Sequence, residues 1–148
     1  MTNKPFTAVM HLLRTHALWE ERFAHELGAI HGVSLQDTLL MLHVQSAPSA
    51  RLSRIELSKR LHVSASTVTR MVLPLEKRGI LDRAADEHDA RIVHVVLTRA
   101  GRTLLRDVRD SLERKCADVF KEGWSAQEVT TLAKLLGRLV HGQPGALA

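Results

Sequence analysis

Residues 53–79 read SRIELSKRLHVSASTVTRMVLPLEKRG, and the reading of this stretch decides the fold. Its left half writes its own helix start. Ser53 can accept from the backbone three residues on while Glu56 reaches back, and Leu52 and Leu57 stand where a hydrophobic staple needs them. The helix should end near Leu61, with His62 and Val63 as a short turn and Ser64 as the cap of a second helix. Val68, Met71, Val72 and Leu75 then recur at i, i+3, i+4 and i+7. Pro74 interrupts that helix, at a usual cost of roughly 3 kcal/mol. The apolar stripe nevertheless keeps phase across it, and Leu73 is a poor cap, so one kinked helix is expected rather than two. Gly79 fits a left-handed position after the last turn. Lys77 and Arg78 suit the negative end of the helix, and Leu75 can meet Ile80 across the cap.

Two short helices joined by a tight turn form a helix-turn-helix, and the spacing is specific. Counting from Arg54, such units want apolar residues at the fourth, eighth, tenth, fifteenth and eighteenth places. Leu57, Leu61, Val63, Val68 and Met71 supply all five. Ser58 and His62 replace the alanine and glycine usual at the fifth and ninth places. The first is small enough for close packing, and the second tolerates a positive φ.

With the apolar stripe inward, Ser66, Arg70 and Lys77 point outward, flanked by Thr67 and Thr69. Short hydroxyls let a helix N-terminus approach a phosphate or a base edge, and the helix dipole favours phosphate there. Arg70 is long enough to reach a guanine edge. Ser64, Ser66, Thr67, Thr69, Arg70 and Lys77, with Arg54 on the first helix, are therefore the expected duplex-DNA contacts. Charge agrees: residues 51–83 hold eight Lys/Arg against three acids, a net +5 equal to that of the whole chain.

Working outward, a helix is expected from about Pro5 to Ile30, and a second after the Ser34 cap, through the largely apolar LLMLHV. After Gly79 come two short β segments, Leu81–Ala84 and Ile92–Leu97, separated by ADEHDA. They predict a hairpin with a charged tip, which makes the helix-turn-helix winged. Arg91 at the tip can enter a minor groove, with Asp89 expected to hold it through an ion pair. Thr98 caps a long helix to about Lys121, with Leu105, Val108, Leu112, Cys116 and Val119 on its stripe. Ser125 and Glu128 form a second capping box ahead of a helix lined by Val129, Leu132, Leu135, Leu136, Leu139 and Val140.

Composition narrows the function. The 148 residues suit one domain, or one small domain with an oligomerisation element. Aromatics are 3% with no tyrosine, against single-strand binding by base stacking. Cys116 is the single cysteine, which excludes an intramolecular disulfide and a multi-cysteine metal site; it is expected to be buried and inert. The nine histidines show no metal-ligand spacing. No glycine-rich phosphate loop, nucleophile elbow or HExxH is present, so neither an enzyme nor a cofactor is expected. The N-terminus does not read as a secretion signal and no apolar run matches a membrane span. An intact, cytoplasmic protein is expected.

The stretches LSRIELSKRLHVSASTVTRMVLPLEKRGILDR and DEHDARIVHVVLTRAGR resemble the multiple-antibiotic-resistance repressor (MarR) family. The wing pattern Asp-x-Arg appears as Asp89-Ala90-Arg91, and the Leu-Thr-x-x-Gly that opens the next helix as Leu97 to Gly101. Ala90 stands where many relatives carry a second arginine, and Pro74 where proline is unusual. The resemblance covers nearly the whole chain. It implies a mainly α fold with a small β-wing: a winged helix-turn-helix over 34–97, and a helical dimerisation region from 1–33 and 98–148. It also implies a homodimer on a pseudo-palindromic operator, and a regulator, often a repressor, relieved by a small-molecule effector. His16 and His43 are candidate lining residues of the effector cavity. Unpartnered stripes on the terminal helices independently favour a dimer. The alternative is a winged-helix protein-interaction module that does not bind DNA.

Overall fold

The computed structural model describes residues 3–143. The chain forms two compact units, Met1–Gln36 and Asp37–Ala148. In the first, α1 (Lys4–Glu26) starts at Asn3, whose Oδ1 accepts from the Phe6 amide, and widens into a π-turn over Leu27–His31. Gly32 ends it at φ 64°. No residue of α1 is buried, and Phe6, Val9, Leu13 and Leu18 lie open on it.

From Asp37 on, α2 (Leu35–Ser46) belongs to the second unit, with Leu40, Met41 and Val44 fully buried. β1 (Arg51–Ser53) leads directly into α3 (Arg54–Leu61), then α4 (Ala65–Lys77), β2 (Leu81–Ala85), β3 (Val93–Leu97), α5 (Arg99–Val119) and α6 (Ala126–Val140). The sheet is antiparallel in the order β1-β3-β2. A third strand was not expected from the sequence. Three residues are too short for an alternation signal, and Leu52 joins the sheet because β3 offers it Val95 as partner. Leu52, Leu57, Val68, Val72, Leu75, Ile80, Leu81, Val95 and Leu97 form the buried centre of this lobe.

The local signals are realised. Ser53 and Glu56 make the capping box, with Ser53 Oγ accepting from the Glu56 amide at 3.2 Å and Glu56 Oε2 accepting from the Ser53 amide at 2.7 Å. α4 continues through Pro74 as a single helix. Gly79 takes φ 71° and the Ile80 amide donates to the Leu75 carbonyl at 2.9 Å, the six-to-one bond of a Schellman stop. His62 adopts φ 54°, the left-handed conformation in which glycine would be unstrained. Ser125 and Glu128 form the second capping box.

Cys116 departs from expectation: it is exposed. Burial fades along α5, from Leu105 and Val108, which are fully covered, to a half-covered Leu112 and then Cys116. Its thiol is nonetheless pushed above its ordinary value by partial desolvation and then by Glu113, so it stays in the less reactive thiol form. α6 buries none of its residues, and Leu135, Leu136, Leu139 and Val140 stand open. Residues 144–148 of the expected helical region 98–148 lie outside the described residues. Among the described residues no helix is long and apolar enough to cross a membrane.

His43 lies in the core at 4% exposure, and its Nδ1 has no hydrogen-bond partner among the described residues. Burial first, then the charges of Arg60 and His62, lower its pKa. The folded protein thus holds His43 neutral where the unfolded chain would protonate it. Stability is complete above the ordinary histidine pKa and is lost as pH falls toward the depressed folded value. Melting at about pH 7.5 and about pH 5.5 should show a fall for the wild type and a smaller fall for His43→Leu. Equal falls would remove His43 as the cause.

Candidate nucleic-acid interface

The N-terminus of α4 is a connected hydroxyl cluster. Ser64 caps the helix, its Oγ accepting from the Thr67 amide at 3.2 Å. The same Oγ lies 3.0 Å from Ser66 Oγ and 2.9 Å from Thr67 Oγ1. Arg70 Nη2 donates to Thr67 Oγ1 at 3.2 Å, which lays the guanidinium back along the helix toward its tip. Thr69 Oγ1 donates to the Ala65 carbonyl and accepts from Arg54 Nη1 at 3.3 Å, so Arg54 ties α3 to α4. Ser64, Ser66 and Arg70 are exposed, whereas Arg54, Thr67 and Thr69 are half-buried.

Unpaired amides at the first turn, a favourable dipole, rotatable hydroxyls and one guanidinium make this end of α4 fit for phosphate and base edges. Lys77 is exposed but stands at the opposite end, about 18 Å along the axis at 1.5 Å per residue. It does not join the hydroxyl tip.

The wing is ordered by Asp86, which sequence reasoning missed. Its Oδ1 accepts from the amides of His88 at 2.8 Å and Asp89 at 3.0 Å. Those two bonds, helped by the nearby His94 and His88, hold its carboxyl below the usual aspartate range. His94 Nε2 lies 3.7 Å from Asp86 Oδ2. Asp89 does act on Arg91, but through the backbone: its Oδ1 accepts from the Arg91 amide at 2.9 Å. The expected ion pair between the two side chains is not formed among the described residues, because Asp89 is spent on a turn and the Arg91 side chain is left exposed at the tip. Asp-x-Arg is thus a turn device that presents the arginine. Arg83 also went unforeseen: its Nε and Nη2 donate to Glu76 at 2.7 and 2.9 Å, fastening β2 to α4. Only the fold brings those two side chains together.

The two candidate effector residues differ. His16 is exposed on α1, while His43 is enclosed in the core of the second unit. Among the described residues no group of three or more His, Cys, Asp or Glu could hold a metal ion.

Comparison with known proteins places this geometry. The model of the MarR family matches residues 33–93, the span from the start of α2 to the wing. The transcriptional repressor MprA of Escherichia coli K12 is 32% identical over 114 residues, covering 71% of this chain and 62% of MprA. The uncharacterised HTH-type regulator YsmB of Bacillus subtilis is 27% identical over 86 residues, covering 58% of each chain. The chain therefore spans about 58–62% of the length of these curated relatives. In fold, it is similar to Sco3205, a MarR family regulator from Streptomyces coelicolor solved in complex with DNA. The TM-score is 0.80 at 20% identity, covering 96% of this chain and 89% of that one.

Proposed function

The chain belongs to the MarR family, and from that premise we propose that it is a dimeric, sequence-specific duplex-DNA-binding transcriptional regulator, acting in the cytoplasm as an effector-responsive repressor. The observation that carries this reading is the α4 tip: Ser64, Ser66 and Thr67 with Arg70 drawn over them, held in place by Arg54 from α3. Such a tip belongs in a major groove, and the exposed Arg91 of the wing in the minor groove beside it. The MprA name supports repression, and the Sco3205 complex supports DNA as the partner. The open apolar residues of α1 and α6 support pairing with a second copy, which would present two α4 tips to a pseudo-palindromic site.

Fluorescence anisotropy against duplex from the protein's own upstream region, at several salt concentrations, tests this. Binding should weaken steeply with salt, and Arg91→Ala should lower the log–log slope by about one. Absence of affinity for any duplex would leave the winged lobe as a protein-interaction module.

A further inference from the structure

His94 stands where two parts of the winged lobe meet. It lies on β3, the central strand, with Ser53 of β1 opposite it on one side and Ala84 of β2 on the other. Its side chain is 13% exposed, and its Nδ1 has no hydrogen-bond partner among the described residues. Its Nε2 faces Asp86 Oδ2 at 3.7 Å. A neutral imidazole gains little here. One nitrogen has nothing to bond, and the other faces a carboxylate from beyond hydrogen-bond distance.

Two carboxylates, from two different elements, act on this ring. Asp86 belongs to the wing. Its Oδ1 accepts from the amides of His88 and Asp89, and Asp89 Oδ1 accepts in turn from the Arg91 amide. Two carboxylates thus connect His94 to the backbone of the wing arginine. Glu56 belongs to the start of α3, where its Oε2 accepts from the amide of Ser53, the cross-strand neighbour of His94. The Ser53 bonds first, then the charges of His94 and Arg60, hold the Glu56 carboxyl below the usual glutamate range. Asp86 is held low as well, chiefly by its two amides. Both therefore stay ionised between about pH 6 and about pH 8, where histidine changes charge. Ser53 and Ala84 carry no charge. The groups of this cluster that titrate in that range are His94 itself and the exposed His88, which also acts on Asp86.

A proton on His94 changes the balance. The imidazolium is attracted by both carboxylates, and its contact with Asp86 becomes a charge-assisted bond, which is shorter and stronger than a neutral one. The Asp86 turn, and Arg91 with it, is then tied to the sheet and to the start of α3. The sign is opposite to that of His43, which burial and the charges of Arg60 and His62 keep neutral.

We propose that His94 is a positioning residue of the DNA-binding surface: drawn to Asp86 and Glu56 when protonated, it fixes the wing so that Arg91 is held ready for the minor groove. Its purpose rests on the DNA reading, but the fastening of the wing does not need DNA and is tested first without it.

Nuclear magnetic resonance of the full-length protein, titrated between about pH 8 and about pH 6, reads the fastening. A His88→Gln background removes the neighbouring imidazole. The Asp89 and Arg91 amides should shift with the same midpoint as the His94 ring, and should stay still in His94→Gln. Asp86→Asn keeps an oxygen for the two turn amides but lacks the charge, so it should still the Asp89 and Arg91 amides too. An unchanged melting temperature at the higher pH would show that it folds. Amides that ignore the ring, or that move as far in His94→Gln, would overturn the proposal.

Fluorescence anisotropy against the upstream duplex then reads the purpose. The wild type should bind at least about threefold tighter at the lower pH. His94→Gln and Asp86→Asn should each lose most of that gain. Arg91→Ala should lose it too, and adding His94→Gln to Arg91→Ala should change nothing further. A merely structural His94 would lower affinity equally at both pH values, and that result would overturn the positioning role. A gain that survives in His94→Gln comes from other histidines and overturns it as well. Amides that follow the ring in a protein without affinity for any duplex would instead sink the DNA reading, and the groove role of the wing with it.

Discussion

Gly101→Ala should lower the stability of the protein by about 2 kcal/mol, although alanine is the better helix former. Two effects oppose each other. Alanine inside α5 gains roughly 1 kcal/mol over glycine from propensity and from a stiffer unfolded chain. Against this, a methyl group on Gly101 would be driven into the Ile80 carbonyl oxygen and pressed on Leu97 Cδ2. That carbonyl has nowhere to go. It accepts from the Thr98 amide and from Thr98 Oγ1, each at 3.1 Å, while the same hydroxyl holds the neighbouring Gly79 carbonyl. Ile80 is itself buried, and its amide closes the α4 stop on Leu75. Overpacking at so fixed a point costs about 3 kcal/mol, so the steric effect wins. Urea denaturation should show a lower midpoint with an unchanged slope, and the melting temperature should drop by about 6 °C. A variant as stable as the wild type would mean that the junction of α4, β2 and α5 yields more readily than its hydrogen bonds imply.

What was legible in the sequence was whatever is decided within one or two turns. Ser53 with Glu56, Ser64, Thr98, Ser125 with Glu128, and Gly79 all act within six residues of themselves, and each performs the expected cap or stop. The hydroxyl tip and Arg70 were legible for the same reason, since the phase of Val68, Val72 and Leu75 fixes which residues of α4 face out. What escaped depends on a partner far along the chain. β1 exists because β3 lies beside it. Arg54 meets Thr69 across fifteen residues, and Arg83 meets Glu76 only after the chain reverses at Gly79. Cys116 sits in apolar phase, but phase says which face a residue shares, not whether this chain covers that face. The Asp-x-Arg pattern was recognised at the right residues, yet the bond is to an amide, which no reading of side-chain charge distinguishes.

Arg70→Ala should weaken specific duplex binding by about 1–3 kcal/mol, the worth of one good guanidinium–guanine contact, with almost no effect on folding. The separation of the two effects follows from its surroundings. The Arg70 side chain is exposed, and its one hydrogen bond among the described residues is a 3.2 Å contact to Thr67 Oγ1. Thr67 Oγ1 keeps Ser64 as a partner when Arg70 is gone, so the cap survives. In the complex, the same guanidinium would reach past the hydroxyls to a base edge, and its removal takes away a contact that reads sequence. Discrimination between the specific site and an unrelated duplex should therefore shrink along with affinity. Arg91→Ala is the contrasting case: a wing contact driven by groove potential should lose affinity for both duplexes nearly alike. Arg70→Lys separates charge from geometry, because lysine keeps the positive charge but lacks the two-pronged fork. It should retain the salt slope of the wild type and lose most of the discrimination. If Arg70→Ala instead weakens specific and unrelated duplexes equally, Arg70 is a phosphate contact, and the reading of sequence falls to Ser66 and its neighbours at the tip.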